Sequence, residues 1–251
     1  MTAIRDAASH AAMNAPVASR TRVPAIDVMR ALALFAMIAY HFAIDLRYFG
    51  VVRIDFEHDP VCLVVRGAIL TSFLLLAGVS LVLASRAGAA PARFWRHVGE
   101  IAGCALLVSA GSYAFFRQSY IWFGVLHAIA VTLIVARPFA QRPRLAAAIG
   151  VVMIAAGALL AHPAFNNRAL GWIGFMTSKP YTEDYVPLFP WAGVVFLGIT
   201  VGHLLARQGF ASIAALNRAP AWLAALGRHT LLIYIIHQPI LLGALWLALR
   251  R

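Results

Sequence analysis

Ionisable side chains interrupt four otherwise apolar stretches of this chain, and their spacing suggests chemistry. The first stretch carries Asp27, Arg30, His41 and Asp45. Arg30 and His41 are eleven residues apart, close to three helical turns, which puts them on one helix face about 16 Å apart. Asp45 follows His41 by four residues, within reach on the same face, and a carboxylate bonded to one imidazole nitrogen orients the other as a base. Asp27 and Arg30, three residues apart, are spaced to pair. Taken alone, Arg30 is also explained as a basic anchor whose stem snorkels to the membrane surface, and His41 as a hydrogen-bonded packing residue.

The other three stretches repeat the pattern more sparsely. His127 closes the motif WFGVLH at 122–127, where Gly124 leaves room for a neighbouring group. It reads either as a further candidate acid or base or as an interhelical tie. Toward the C-terminus, Arg228 and His229 precede Tyr234, His237, Gln238 and Pro239. Pro239 removes a backbone donor and frees the carbonyl of Ile235, so a kink is expected there. His237 either serves a substrate or satisfies that carbonyl. Arg66, in the second apolar stretch, needs a partner such as Asp45, an anionic ligand or a cavity, because a charge in lipid costs at least about 2.5–3.5 kcal/mol. The histidines lack metal-ligand spacing, and no metal is predicted. Cys62 and Cys104 read as small buried residues, and His97 and His203 as ordinary residues near the inner surface.

The elements that must hold these groups are membrane helices. Of 251 residues, 62% are hydrophobic and 12% charged, far more apolar than a soluble domain of about 45–50%. The apolar residues fall into runs at 28–46, 61–84, 98–116, 121–136, 145–161, 187–206 and 230–249, and about 20 helical residues cross a bilayer. The expectation is an all-α, polytopic bundle of about seven transmembrane helices, with one membrane domain over 23–249 and a disordered cytoplasmic N-terminus over 1–22. That N-terminal stretch has no apolar core of a cleaved signal. The formal net charge of +12 reflects topology rather than nucleic acid. Arginines cluster in alternate connections (Arg20 and Arg22; Arg86, Arg93 and Arg96; Arg137, Arg142 and Arg144; Arg207, Arg218 and Arg228), whereas Asp55, Glu57, Asp59, Glu183 and Asp184 lie in the others. The positive-inside rule then puts the N-terminus in the cytoplasm and, with seven crossings, the C-terminus outside. Arg250 and Arg251 break that pattern. Small residues at helical spacing, Gly99 with Gly103 and Gly198 with Gly202, permit close helix contact. The second pair permits a homodimer as readily as internal packing.

Five ordered blocks carry a family resemblance: RVPAIDVMRALA at 22–33 with His41 and Asp45 beyond it, FLLLAGVS at 73–80, WFGVLH at 122–127, PLFPWAGVVFLG at 187–198 and LGRHTLLIYIIHQP at 226–239. Together they resemble the bacterial membrane proteins related to heparan-alpha-glucosaminide N-acetyltransferase. The spacing of Arg30 and His41 is similar to a signature of the wider membrane acyltransferase superfamily. The likeness spans about 22–245, and the departure is Ala31, where a glycine usually follows the arginine. The resemblance implies an enzyme of the bacterial inner membrane that passes an acetyl group from cytoplasmic acetyl-CoA to an amino sugar or other envelope glycan on the far side. It implies donor binding by Arg30 and catalysis by His41 poised by Asp45, with His127 and His237 as second candidates; Arg66 and Arg228 are further basic candidates for binding the donor. Two other readings fit the polar residues: a proton-coupled transporter of small molecules, and a non-catalytic scaffold whose histidines tie helices together.

Overall fold

The structure, a computed structural model, describes residues 22–249. The expectation for the N-terminal segment falls outside these residues except at Arg22, as do Arg250 and Arg251. The described chain is mostly helical: α1 (Pro24–Tyr48), α2 (Pro60–Arg86), α3 (Pro91–Phe115), α4 (Val125–Ala136), α5 (Pro143–Leu159), the single turn α6 (Arg168–Gly171), α7 (Leu188–Arg207), α8 (Ala221–Arg228) and α9 (Thr230–Ala248). Five of these, α1, α2, α3, α7 and α9, are long and apolar enough to cross a membrane, and α4 and α5 are shorter apolar helices. They correspond to the seven apolar runs. The polytopic all-α bundle read from the sequence is therefore what the chain forms.

Local chemistry sets the boundaries. Proline stands in the first turn of α1, α2, α3 and α5, where its missing N–H has no helical partner to lose. Three helices end on a glycine in the left-handed region, Gly50 after α1, Gly88 after α2 and Gly209 after α7. The next residue's N–H then turns back onto a last-turn carbonyl, as in Val51 to Leu46 (2.8 Å) and Phe210 to Leu205 (2.8 Å). The fourth run begins later than its apolarity suggests. Residues 121–124 are irregular, because Phe123 pairs with Tyr185 of the long 160–187 connection. At the last run, α9 continues through Pro239 as one helix.

Packing is organised around α7. A Cβ at Gly78 of α2 would overlap the Val195 carbonyl oxygen, and one at Gly198 would overlap that of Leu75, so α2 and α7 touch backbone to backbone. Gly202 presses on Val79 and Val82 in the same seam. On its other side, α7 meets α5 where Gly150 and Gly193 face each other's carbonyl oxygens. Such contacts take the place of the hydrophobic drive that lipid does not supply. Gly198 and Gly202 thus pack within the chain. Gly99 and Gly103 differ from the sequence expectation: among the described residues a Cβ at either would meet nothing within 4 Å, because α3 lies at the rim of the bundle and turns that face outward.

The bundle has two chemically distinct ends. Val23 just before α1, Ile26 of α1, Leu83 of α2, Leu205 of α7 and Ile213 pack together, and Gln141 donates to Ser85. The arginine-rich connections therefore gather at one end. At the other, Lys179 pairs with Glu57 at 3.4 Å and Ser119 donates to Glu183 at 2.6 Å.

Gly198→Leu is expected to destabilise the bundle by at least about 1–3 kcal/mol, the usual cost of overpacking, whereas Gly103→Leu stays within about 0.5 kcal/mol. Thermal unfolding of both variants in the same detergent checks the difference.

Candidate active site

The polar residues of α1 divide into two sites along one helix. Near its start, the Arg30 guanidinium donates to the Asp27 carboxylate at 2.7 Å and to the Ser80 hydroxyl of α2 at 2.6 Å. Ser80 in turn donates to the carbonyl of Leu76. The pairing at a spacing of three is as the sequence suggests, and Ser80 is a partner that sequence spacing could not supply. Arg30 keeps further N–H groups and a side chain 29% exposed, so the clamp does not exhaust it. Gly227 of α8 packs its Cα against the backbone of Asp27, which brings Arg228 to the same level of the bundle. Arg228 is exposed at the last turn of α8, where a cation complements the helix dipole. Ala31, at the position where the resembled proteins usually carry glycine, is fully buried.

Three turns further along α1 the chain meets α9. The His41 and His237 rings stand edge to face with centroids 5.2 Å apart. Asp45 is 3% exposed, and its Oδ1 accepts a hydrogen bond from the Gln238 side-chain amide at 2.7 Å. This corrects the expectation that Asp45 orients His41. Its carboxylate turns to the last helix because Gln238 offers a direct donor, and a buried carboxylate costs several kcal/mol without one. Among the described residues, the His41 ring makes no hydrogen bond. His237 is the histidine whose orientation is set. Its Nδ1 lies 2.7 Å from the Tyr234 carbonyl, and a carbonyl only accepts, so Nδ1 carries the proton and Nε2 of the neutral ring keeps its lone pair. That bond goes to Tyr234, not to the Ile235 carbonyl that Pro239 frees.

Three polar atoms at this seam are buried without a hydrogen-bond partner among the described residues: Asp45 Oδ2, Gln238 Oε1 and His237 Nε2. With the carboxylate ionised, all three are acceptors. A group presenting N–H or O–H donors is what the cluster lacks, and the basicity of His237 Nε2 allows it to take a proton from such a group.

His127 belongs elsewhere. The Gly124 N–H donates to its Nδ1 at 3.2 Å, so in the neutral ring Nε2 bears the proton and points it at the Ser109 hydroxyl, 3.2 Å away. Ser109 donates its own hydrogen bond to the Ile121 carbonyl at 2.6 Å. Both nitrogens of His127 are thus occupied in bracing the start of α4. Asp184 accepts from the Val125 N–H at 2.9 Å and lies where a Cβ on Gly124 would intrude. It is the neighbour that glycine admits, and its charge suits a helix N-terminus. Burial pushes the Asp184 carboxyl above its ordinary value, against the opposing pull of the Val125 amide and the charges of Arg66 and Lys179. Tyr185 beside it is pushed up to about 12 by burial and donates to the Gly171 carbonyl at 2.6 Å. Arg66 is exposed and, among the described residues, forms no ion pair, so it does not balance Asp45. At this same end a cleft of about 400 Å³ opens beside Trp122, Arg168 and Tyr181. No cluster of metal-ligand residues occurs among the described residues.

Compared with known proteins, residues 22–239 match a family model described as heparan-alpha-glucosaminide N-acetyltransferase, catalytic. No curated protein and no solved structure matches the chain.

The environment of Asp184 sets a sign for the pH dependence of stability. Its raised folded value means that the folded protein holds this proton more tightly than the unfolded chain. The resulting stability is full below the ordinary carboxylate value of about 4 and is lost as pH rises through the folded value. Asp184→Asn keeps an acceptor for Val125 and removes the charge, so the thermal midpoint is expected to fall less with rising pH than in the native chain. Asp184→Ala leaves the Val125 N–H unpaired and costs about 1–3 kcal/mol at every pH. Thermal unfolding across pH checks both outcomes.

Proposed function

The chain belongs to the heparan-alpha-glucosaminide N-acetyltransferase catalytic family, a family that points to membrane acetyl transfer, and from that premise we propose that it moves an acetyl group from cytoplasmic acetyl-CoA to an amino sugar or other envelope glycan in the bacterial plasma membrane. The observation that carries the proposal is the trio of buried, unpartnered acceptors Asp45 Oδ2, Gln238 Oε1 and His237 Nε2 beside His41. Such a trio suits an amine or hydroxyl, which brings the missing donors and must lose a proton as it reacts.

In the proposed step, the acceptor nitrogen or oxygen attacks the thioester carbonyl carbon. A bond from carbon to nitrogen or oxygen forms and the carbon–sulfur bond breaks. The acceptor's proton passes to a histidine nitrogen, for which His237 Nε2 is oriented, and the departing thiolate regains a proton. His41, in ring contact with His237, stands next to the reacting carbonyl. Asp45 acts through Gln238 to fix the acceptor side. Arg30 and Arg228, at the arginine-rich end, suit the coenzyme phosphates, which planar guanidinium groups bind well. With that end in the cytoplasm the N-terminus is cytoplasmic and the C-terminus periplasmic. The acceptor then approaches from the end where Trp122 and Tyr181 line the cleft, aromatic faces of a kind that suits a sugar ring.

Transfer from radiolabelled acetyl-CoA to amino sugars by the purified protein in detergent tests this reading. His41→Ala and His237→Ala are each expected to lower turnover by roughly 10²–10⁴-fold, the range of general acid–base catalysis, with thermal unfolding confirming that each variant is folded. Arg30→Ala is expected to raise the KM for the donor more than it lowers kcat. A folded native protein that neither binds acetyl-CoA nor transfers acetyl overturns the proposal and favours a proton-coupled carrier.

A further inference from the structure

A second concavity, with largely apolar walls, lies away from the α1–α9 seam, at the arginine-rich end of the bundle. It has a volume of about 560 Å³ and sits between the start of α5 and the end of α7, where Arg142, Arg144 and Arg207 surround it. Among the described residues none of these three arginines forms an ion pair with a carboxylate. Three uncompensated cations around one concavity leave a site for an anion.

The frame of this concavity is fixed. His203 of α7 donates from Nε2 to the Ala140 carbonyl at 2.9 Å, and Thr200 donates to the Pro143 carbonyl at 2.9 Å. These two bonds tie α7 to the start of α5 and to the turn before it and use none of the three arginines, which are left to meet a ligand. The Cα-to-carbonyl contact of Gly150 with Gly193 closes the seam one to two turns further in. Neither His41 nor His237 is among the residues that line the concavity. Its remaining walls include Leu145 and Leu204, which are 43% and 50% exposed and lead onto the outward faces of two apolar helices. A basic rim above exposed leucines matches an amphiphile with an anionic head and hydrocarbon tails.

We propose that this notch binds the phosphate headgroup of an anionic membrane phospholipid, with Arg142, Arg144 and Arg207 on the phosphate and the acyl chains lying along α5 and α7. The site is independent of the acetyl-transfer reading, since it uses none of its residues. Each arginine contributes about fivefold in affinity at a membrane surface. The variant carrying Arg142→Gln, Arg144→Gln and Arg207→Gln is thus expected to bind phosphatidylglycerol on the order of a hundredfold more weakly than the native chain.

Native mass spectrometry of the full chain, titrated with phosphatidylglycerol or phosphatidylcholine, reads this directly. Selective retention of phosphatidylglycerol that the triple substitution abolishes supports the site. Arg207→Glu alone provides the same reading if the triple variant fails to fold. Equal retention of the two lipids, or phosphatidylglycerol binding unchanged by the substitutions, overturns it. Displacement of phosphatidylglycerol by coenzyme A or by inorganic phosphate keeps the phosphate site but overturns the lipid as its occupant.

Discussion

A polar atom between membrane helices has no water to turn to, so each must find a partner in the protein or in a ligand. Much of the arrangement of α1, α2 and α9 follows from that requirement. Arg30 is held by Asp27 and by Ser80 of α2. Asp45 is held by Gln238 of α9, and His237 by a carbonyl of its own helix. Where the matching stops, at Asp45 Oδ2, Gln238 Oε1 and His237 Nε2, the leftover capacity marks the place prepared for something else.

Glycine packing supplies the rigidity that such a seam needs. Gly78 with Gly198, and Gly150 with Gly193, bring helix backbones into contact around α7, while Gly227 presses α8 onto α1 at Asp27. The last contact matters most for the site, because α8 leads directly into α9 and sets the height at which His237 faces His41. Side chains at these glycines would push the helices apart and, at Gly227, shift the two histidines relative to each other.

The apolar runs were legible in the sequence because membrane-crossing length and apolarity are local properties. So was the pairing of Asp27 with Arg30, which lies within one turn. The partner of Asp45 was not. Helical spacing points to His41, whereas Gln238, 193 residues away, depends on which helices pack side by side. The two glycine pairs make the same point: Gly99 with Gly103 and Gly198 with Gly202 have identical spacing, and among the described residues only the second meets a neighbour. Residue type announced His127 as clearly as His41, but only the positions of Gly124 and Ser109 reveal that both its nitrogens are spent. Asp184 carried no signal beyond its acidity, since its role depends on a long connection folding back over the start of α4.

The bond between Asp45 and Gln238 also has a consequence in time. The ribosome makes the carboxylate 193 residues before the amide that receives it, which at about 5–20 residues per second is a delay on the order of 10–40 s. Through that interval α1 carries an acidic side chain without its final companion. The newborn protein is incomplete until its last helix emerges, and a chain cut short before α9 is left with a carboxylate that lacks its Gln238 donor.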